Sequence, residues 1–557
     1  MSIYMMFALT GLVVTLLLGG VALLRNRADK TVLYKPLSVI GGVIEKYYII
    51  FLLLIIAVFL VSRILKLEVF PHGLHVDEIA VAVDVKSILL NGVDRNGIHY
   101  PAYFYDYGNG QNALYVYVEA FLLKFLPATV FTLRIQAVIW GLAGLLAIFG
   151  ICYEISENKG WALVGAALAT ILPMYIMSER WALEAYLFLP TANITMYFII
   201  RALKHGKIRD YILAGVFMGT SLYTYAVSYM VWPIFLVLSA AYLIYLKKVS
   251  FKQLLAFGIP LGILAFPLIL FQLVNFRIIE PFTLGITDYI PLPYSRGEEM
   301  SLANIPGNFA YIKKLFLGGE ALTYNSFKEF GTIYMFLLPF VLAGFIIAIV
   351  ETVSSVRKKE FSPLPIILFF WFGGTVFLFV VEYANVNRVN ELFCPFLLFI
   401  FVAIYRLLKR NQVTLVWLAV WSAASFVFFM YFYFFVQNSV YGYHELHTST
   451  TPGRAIVKAR TYYMKDENTH IYMQYEDQAI HPCEQVYYFA AVPGDVYESG
   501  CSDYGRVSGH LPEEIDINEN AVYIISNNWP HIISYLISEG FLADQSYPDY
   551  SILFRLN

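Results

Sequence analysis

The stretch GLHVDEIAVA, residues 73–82, begins just past the apolar run YYIIFLLLIIAVFLVSRIL, which ends at Leu65. It sets His75, Asp77 and Glu78 where a chain leaving a membrane would surface. An acid pair in that place can do three things. Asp77 can cap the helix DEIAVAVDVKSILL by accepting backbone N–H bonds, with Glu78 favouring the positive end of the same helix. Asp77 can act as a general base, its pKa raised by an apolar surface, and take a proton from an attacking hydroxyl. The pair can also hold a divalent cation, the one cofactor for which the sequence leaves room. These readings are compatible, because a capping aspartate can also be a base.

Other charged residues stand at comparable boundaries. SERWALEAY carries Glu179, Arg180 and Glu184, LRIQAVIWG opens with Arg134, and EYANVNRVNELFCP brings Glu382 and Arg388. Charge at a lipid boundary is costly and tends to mark function. Arginines beside an acid suit a phosphate-bearing lipid, since a guanidinium binds phosphate oxygens through two parallel hydrogen bonds. The plainer alternatives are that Arg134 anchors its helix at the headgroups and that Glu184 makes a polar contact between helices.

The elements that must position these residues are membrane helices. Hydrophobic residues make up 59% of the 557, aromatic residues 17% and charged residues only 14%, which requires lipid as solvent. The net charge of −2 gives no sign of a nucleic-acid partner. With roughly 20 apolar residues needed per crossing, spans are expected near 4–24, 47–65, 131–152, 161–177, 187–203 and 211–227. Others follow near 229–247, 254–272, 332–351, 363–381, 393–408 and 413–436. The basic clusters RNRADK, RALKHGKIRD, LKKVSFKQ, VRKKE and RLLKR occupy alternate connections and are expected to face the cytoplasm. A first loop at 66–130, a large loop at 273–331 and the tail are then extracytoplasmic. ALYVYVEAFLLKFL, at 113–126, is too short to cross and carries Glu119 and Lys124, so it is expected as an amphipathic helix along the outer membrane surface.

Composition changes at about residue 444, dividing the chain into a transmembrane part, 1–443, and a polar part, 444–557. THIYMQY, NAVYIISNN and SILFRLN read as strands and PHIISYLISEGF as a helix, giving a small extracytoplasmic α/β domain. Cys483 and Cys501 would lie in an oxidising compartment. A bond between them would close a loop worth roughly 3 kcal/mol in the chain-entropy model. No cysteine spacing resembles a zinc site.

The order HVDE, ALYVYV, LRIQAVIWGLAGL, ERWALEAYLFLPT, SLYTYAVSYM and NRVNELFCPF resembles the membrane-embedded GT-C glycosyltransferases. More narrowly it is similar to the protein O-mannosyltransferase and aminoarabinose-transferase group. The resemblance covers about residues 45–410. It implies a polytopic α-helical fold of about twelve crossings, embedded in the plasma membrane of a bacterial-type cell. It further implies a polyprenyl-phosphate sugar donor and an acceptor outside the membrane. Asp77 would be the base, with Glu78 beside it and His75 at hand for substrate. Arg134, Arg180, Glu184, Tyr225 and Arg388 would meet substrate, the arginines at the donor phosphate. The chain also departs from the group. Gln111-Asn112-Ala113-Leu114-Tyr115 stands where many members read Lys-Pro-Pro-Leu-Tyr, so a phosphate-binding lysine is missing. Gly110 replaces an acid of the aminoarabinose-transferase metal site, and no zinc site is expected. Ser228 and Tyr229 fill the place of a further arginine. Two other functions stay open: a transporter or flippase for lipid-linked glycans, and a GT-C scaffold without catalysis.

Overall fold

The computed structural model describes residues 3–24, 41–106, 109–293, 300–318, 322, 330–409, 411–436, 447–464, 468–475, 482–500 and 503–555. Among these, seven helices are long and apolar enough to cross a membrane: Val130–Ser156, Glu184–His205, Ser228–Tyr245, Phe251–Asn275, Met335–Lys358, Asn390–Leu408 and Gln412–Val436. Shorter apolar helices lie at Tyr4–Gly20, Tyr48–Ile64, Lys159–Ile171 and Leu364–Val380. The run at 211–227 gives a helix of fourteen residues, Ile208–Ser221. The run at 161–177 is not one helix. Leu172 is extended ahead of Pro173, which opens a separate short helix, Pro173–Ser178. Proline offers no N–H to the preceding turn and pushes the residue before it out of the helical region.

The large apolar core runs through the helical part, from Phe59 to Phe434. A second core joins the loop at 66–130 to the tail: Ile79, Val83, Tyr115 and Val116 pack in one cluster with Ile456, Tyr487, Tyr488 and Ile524. The loop itself holds helix Val76–Asn91, hairpin Tyr103–Asp106/Asn109–Asn112 and helix Leu114–Leu122. That last helix is at the expected place, but Glu119 is fully buried while Phe121 and Phe125 are exposed. Phe121, and Phe125 just past the helix end, face outward, while Tyr115 and the acid face the protein, where burial pushes the Glu119 carboxyl up to about 8.

The tail forms a six-stranded sheet in the order Leu542–Asp544, Tyr550–Phe554, Ala521–Ser526, His470–Gln474, Val507–Ser508, Asp503–Tyr504. Its two central strands are parallel, with Tyr523 opposite Tyr472. Ahead of the sheet, His447–Thr448 pairs antiparallel with Leu74–His75, immediately before the acid pair. Cys501 lies outside the described residues, so its expected bond to Cys483 does too.

Candidate active site

The start of helix Val76–Asn91 separates the two acids. His75 is the N-cap: it is extended, its Nδ1 accepts from the Asp77 N–H at 3.1 Å, and its own N–H donates to Glu78 Oε2 at 3.1 Å. This is a capping box with histidine in the place usually taken by Ser or Thr. The expectation that Asp77 is the cap is thereby corrected. Asp77 sits one residue inside the helix, its side chain 50% exposed and its Oδ2 3.5 Å from His75 Nδ1. His75 is itself buried, edge-on to Trp181, and its Nδ1 organises the backbone at the helix start.

Glu78 is fully buried, and its carboxylate is used up. Oε1 accepts from Arg134 Nε at 2.9 Å and from the Ala182 N–H at 2.8 Å; Oε2 accepts from Arg134 Nη2 at 2.8 Å and from His75. No lone pair is left for a proton in transit or a cation, so Glu78 is a positioning residue and leaves the catalytic pair.

The arginines follow the same logic. Arg134 spends its remaining donors on the carbonyls of Leu67, Pro71 and Gly73. Arg180 donates to the Tyr433 hydroxyl and to the carbonyls of Ser62, Arg63, Leu65 and Phe70. Both side chains are fully buried, and a guanidinium has five N–H donors. All five are committed in each, which removes both from the expected phosphate set. Their role is to hold the bend that carries the chain from helix Tyr48–Ile64 to His75. Arg63, whose charge inside an apolar run was a readable signal, completes the set by pairing with Glu179.

Glu184 accepts a hydrogen bond from the Asn112 backbone N–H, which joins the second outer turn to the first-loop hairpin. The Asn112 side-chain amide reaches the Tyr229 hydroxyl at 2.8 Å. Two of the positions at which the sequence departs from the group it resembles therefore touch each other. Tyr225 is half-buried against the membrane core. On the far side, Tyr186 donates to Asn387 and Asn390 donates to the Ala185 carbonyl at 2.9 Å, so the turn holding Arg388 is docked on helix Glu184–His205. Arg388 is half-buried and donates from Nη1 to the Glu382 carbonyl. Nothing in SERWALEAY or NRVNEL announced the Tyr186–Asn387 contact.

Asp77, Trp181, Tyr186 and Arg388 thus lie along linked elements at one end of the helical part. The helical part also holds an apolar groove of about 640 Å³ between helices Ile305–Leu317, Leu338–Lys358, Leu364–Val380 and Phe393–Leu408. Phe309, Phe345, Trp371, Leu392 and Phe396 line it, and among the described residues Lys313 is its single charged lining residue. Among the described residues no group of three or more His, Cys, Asp or Glu side chains could hold a metal ion.

No protein-family model and no curated protein matches the chain. Among solved structures it is similar to ArnT from Cupriavidus metallidurans bound to undecaprenyl phosphate, at 11% identity over 91% of this chain and 98% of that one, TM-score 0.48. The apo state of ArnT gives 12% identity, 91% and 97% coverage and a TM-score of 0.49. It is also similar to the archaeal oligosaccharyltransferase AglB from Archaeoglobus fulgidus in complex with an inhibitory peptide and a dolichol-phosphate, at 12% identity, 87% and 70% coverage and a TM-score of 0.43.

Proposed function

We propose that the chain is a membrane glycosyltransferase that moves a sugar from a polyprenyl-phosphate donor to a hydroxyl-bearing acceptor outside the membrane. The observation that carries this reading is the state of Asp77. It is a half-exposed carboxylate, relieved of capping by His75, on a turn held by two fully committed arginines. A base needs that combination of access and fixed position.

In the proposed reaction Asp77 takes the proton of the acceptor hydroxyl as its oxygen attacks the anomeric carbon. The bond from that carbon to the phosphate oxygen breaks on the opposite face, and the configuration inverts. The lipid phosphate leaves as an anion and needs no proton from an acid. With Arg134 and Arg180 committed elsewhere, Arg388 is the arginine of the expected set assigned to that charge, and Lys313 on the groove lining is a second candidate cation. The groove between helices Ile305–Leu317, Leu338–Lys358, Leu364–Val380 and Phe393–Leu408 has the apolar lining a prenyl chain requires.

The test is transfer from synthetic polyprenyl-phosphate sugars by the purified chain in lipid nanodiscs, with the anomeric configuration of the product read by NMR. Transfer with inversion supports the proposal. Transfer with retention would remove the single-displacement mechanism, and translocation of intact donor without transfer would favour a flippase.

A further inference from the structure

The large outer loop contains a short hairpin, Phe282–Leu284 paired with Thr287–Tyr289, that the proposed reaction does not use. Its base is firmly built. Phe282 and Tyr289 stack at 4.9 Å, and Tyr289 is buried with Leu268, Phe271 and Val274 at the end of helix Phe251–Asn275. Asp288 accepts from the His99 N–H at 3.1 Å and lies 2.9 Å from His99 Nδ1, while its own N–H donates to the His99 carbonyl at 2.9 Å. Thr283 donates to the other Asp288 oxygen at 2.7 Å.

The tip is the reverse. Leu284 pairs with Thr287, so Gly285 and Ile286 form a two-residue turn. Gly285 has φ +65° and Ile286 does not share a positive φ, the pattern of a type II′ turn, which asks for glycine first and is usually finished by a polar residue. Here the second position is Ile286, 68% exposed, beside Leu284 at 52%. A Cβ built on Gly285 would meet nothing within 4 Å. Turn chemistry does not demand an isoleucine there, and no described part of the chain covers it.

The surroundings name the missing neighbour. Helix Phe251–Asn275 leaves Ile259, Ile263, Phe266 and Ile269 exposed along its length, as a lipid-facing helix does. Past the end of the helix Phe276 and Ile278 are exposed too, with the charged Arg277 and Glu280 among them, and the next exposed large apolar residues are Leu284 and Ile286 at the hairpin tip. Three residues of strand reach roughly 10 Å, about the depth to which interfacial apolar segments sink into the headgroup–acyl boundary.

We infer that the tip Leu284–Gly285–Ile286 is seated in the acyl region of the outer leaflet and, through the Asp288–His99 clamp, fixes the height of the first outer loop above the membrane. The inference rests on the chain spanning a bilayer, and not on its catalysing transfer.

The test places an environment-sensitive fluorescent amino acid at Ile286 of the full chain in nanodiscs. The same probe at Ile263, mid-helix and exposed, and at Val496, exposed on the tail, gives the lipid and water references. At Ile286 we expect quenching by lipids brominated on the acyl chain and several-fold weaker quenching by iodide than at Val496. Iodide quenching equal to that at Val496, with Ile263 still quenched only by lipid, overturns the inference and leaves the membrane reading intact. Protection from both quenchers also overturns it, in favour of a second copy of the chain. If Ile263 itself is open to iodide, the membrane reading fails first and the inference falls with it.

Discussion

Adjacent acids with opposite duties give the sharpest prediction. In Glu78→Gln the side chain keeps its shape, but one of two acceptor oxygens becomes an NH2 donor. Whichever way the amide turns, that NH2 faces two donors: Arg134 Nε with the Ala182 N–H, or Arg134 Nη2 with the His75 N–H. Two charge-assisted bonds are lost and the buried guanidinium of Arg134 is left without its counter-charge. Removing one partner of a buried pair costs about 3–5 kcal/mol. In Asp77→Asn the change is at a half-exposed side chain with no capping duty, so the cost in stability should stay within about 0.5 kcal/mol. Its cost in rate should be about two to four orders of magnitude, because an amide has no useful basicity. The assay is thermal unfolding and transfer from a synthetic polyprenyl-phosphate sugar, measured on wild type and both variants in nanodiscs. Asp77→Asn should unfold like wild type and be nearly inactive; Glu78→Gln should unfold far earlier. If Glu78→Gln kept wild-type stability and lost activity, Glu78 would belong to the reacting set and the division of labour argued from its hydrogen bonds would be wrong.

Arg388→Lys keeps the charge but loses the planar fork, and should weaken apparent donor affinity about tenfold with little change in unfolding; unchanged affinity excludes Arg388 from the phosphate. Glu119 carries a proton in the folded state up to about pH 8, whereas unfolded it ionises near its ordinary value. Between those values the folded state holds the extra proton, so stability falls as pH rises and levels off above 8. Glu119→Gln should flatten that decline in unfolding temperatures measured from pH 5 to 9; parallel curves would mean the buried carboxyl ionises freely. For topology, a cysteine at Val496 should react with an impermeant thiol reagent from outside and one at Lys248 should not. Both positions are exposed.

The helices were legible because lipid leaves a coarse signature: long apolar runs bounded by basic clusters. What failed to show was local. Leu172–Pro173 broke a run whose hydropathy was continuous. His75 is a poor N-cap by propensity, and only Glu78 reaching back to its N–H reveals the box. The positions of Arg134 and Arg180 were readable, as was their expense, but not their partners. Those are main-chain carbonyls of residues 62–73, turned inward by a bend that has no sequence periodicity. Arginine at a boundary reads alike whether it binds a phosphate or a carbonyl. Glu119 misled for the complementary reason: an acid on an amphipathic pattern is assumed to seek water, and here the lipid side of the helix needed Phe121 and Phe125 more.

The pairing of Leu74–His75 with His447–Thr448 has a bearing on biosynthesis. Residues that precede the candidate base wait for a strand nearly four hundred positions later in the chain. Every apolar helix can insert while that edge is still open, so membrane integration and completion of the outer loop are separate events in time. A chain cut after Val436 should therefore integrate and pack its helices, yet display the Asp77 turn without its backbone partner. Such a product would be hard to distinguish from the full protein by its membrane content and easy to distinguish by proteolysis in helix Val76–Asn91, whose apolar residues pack against the tail.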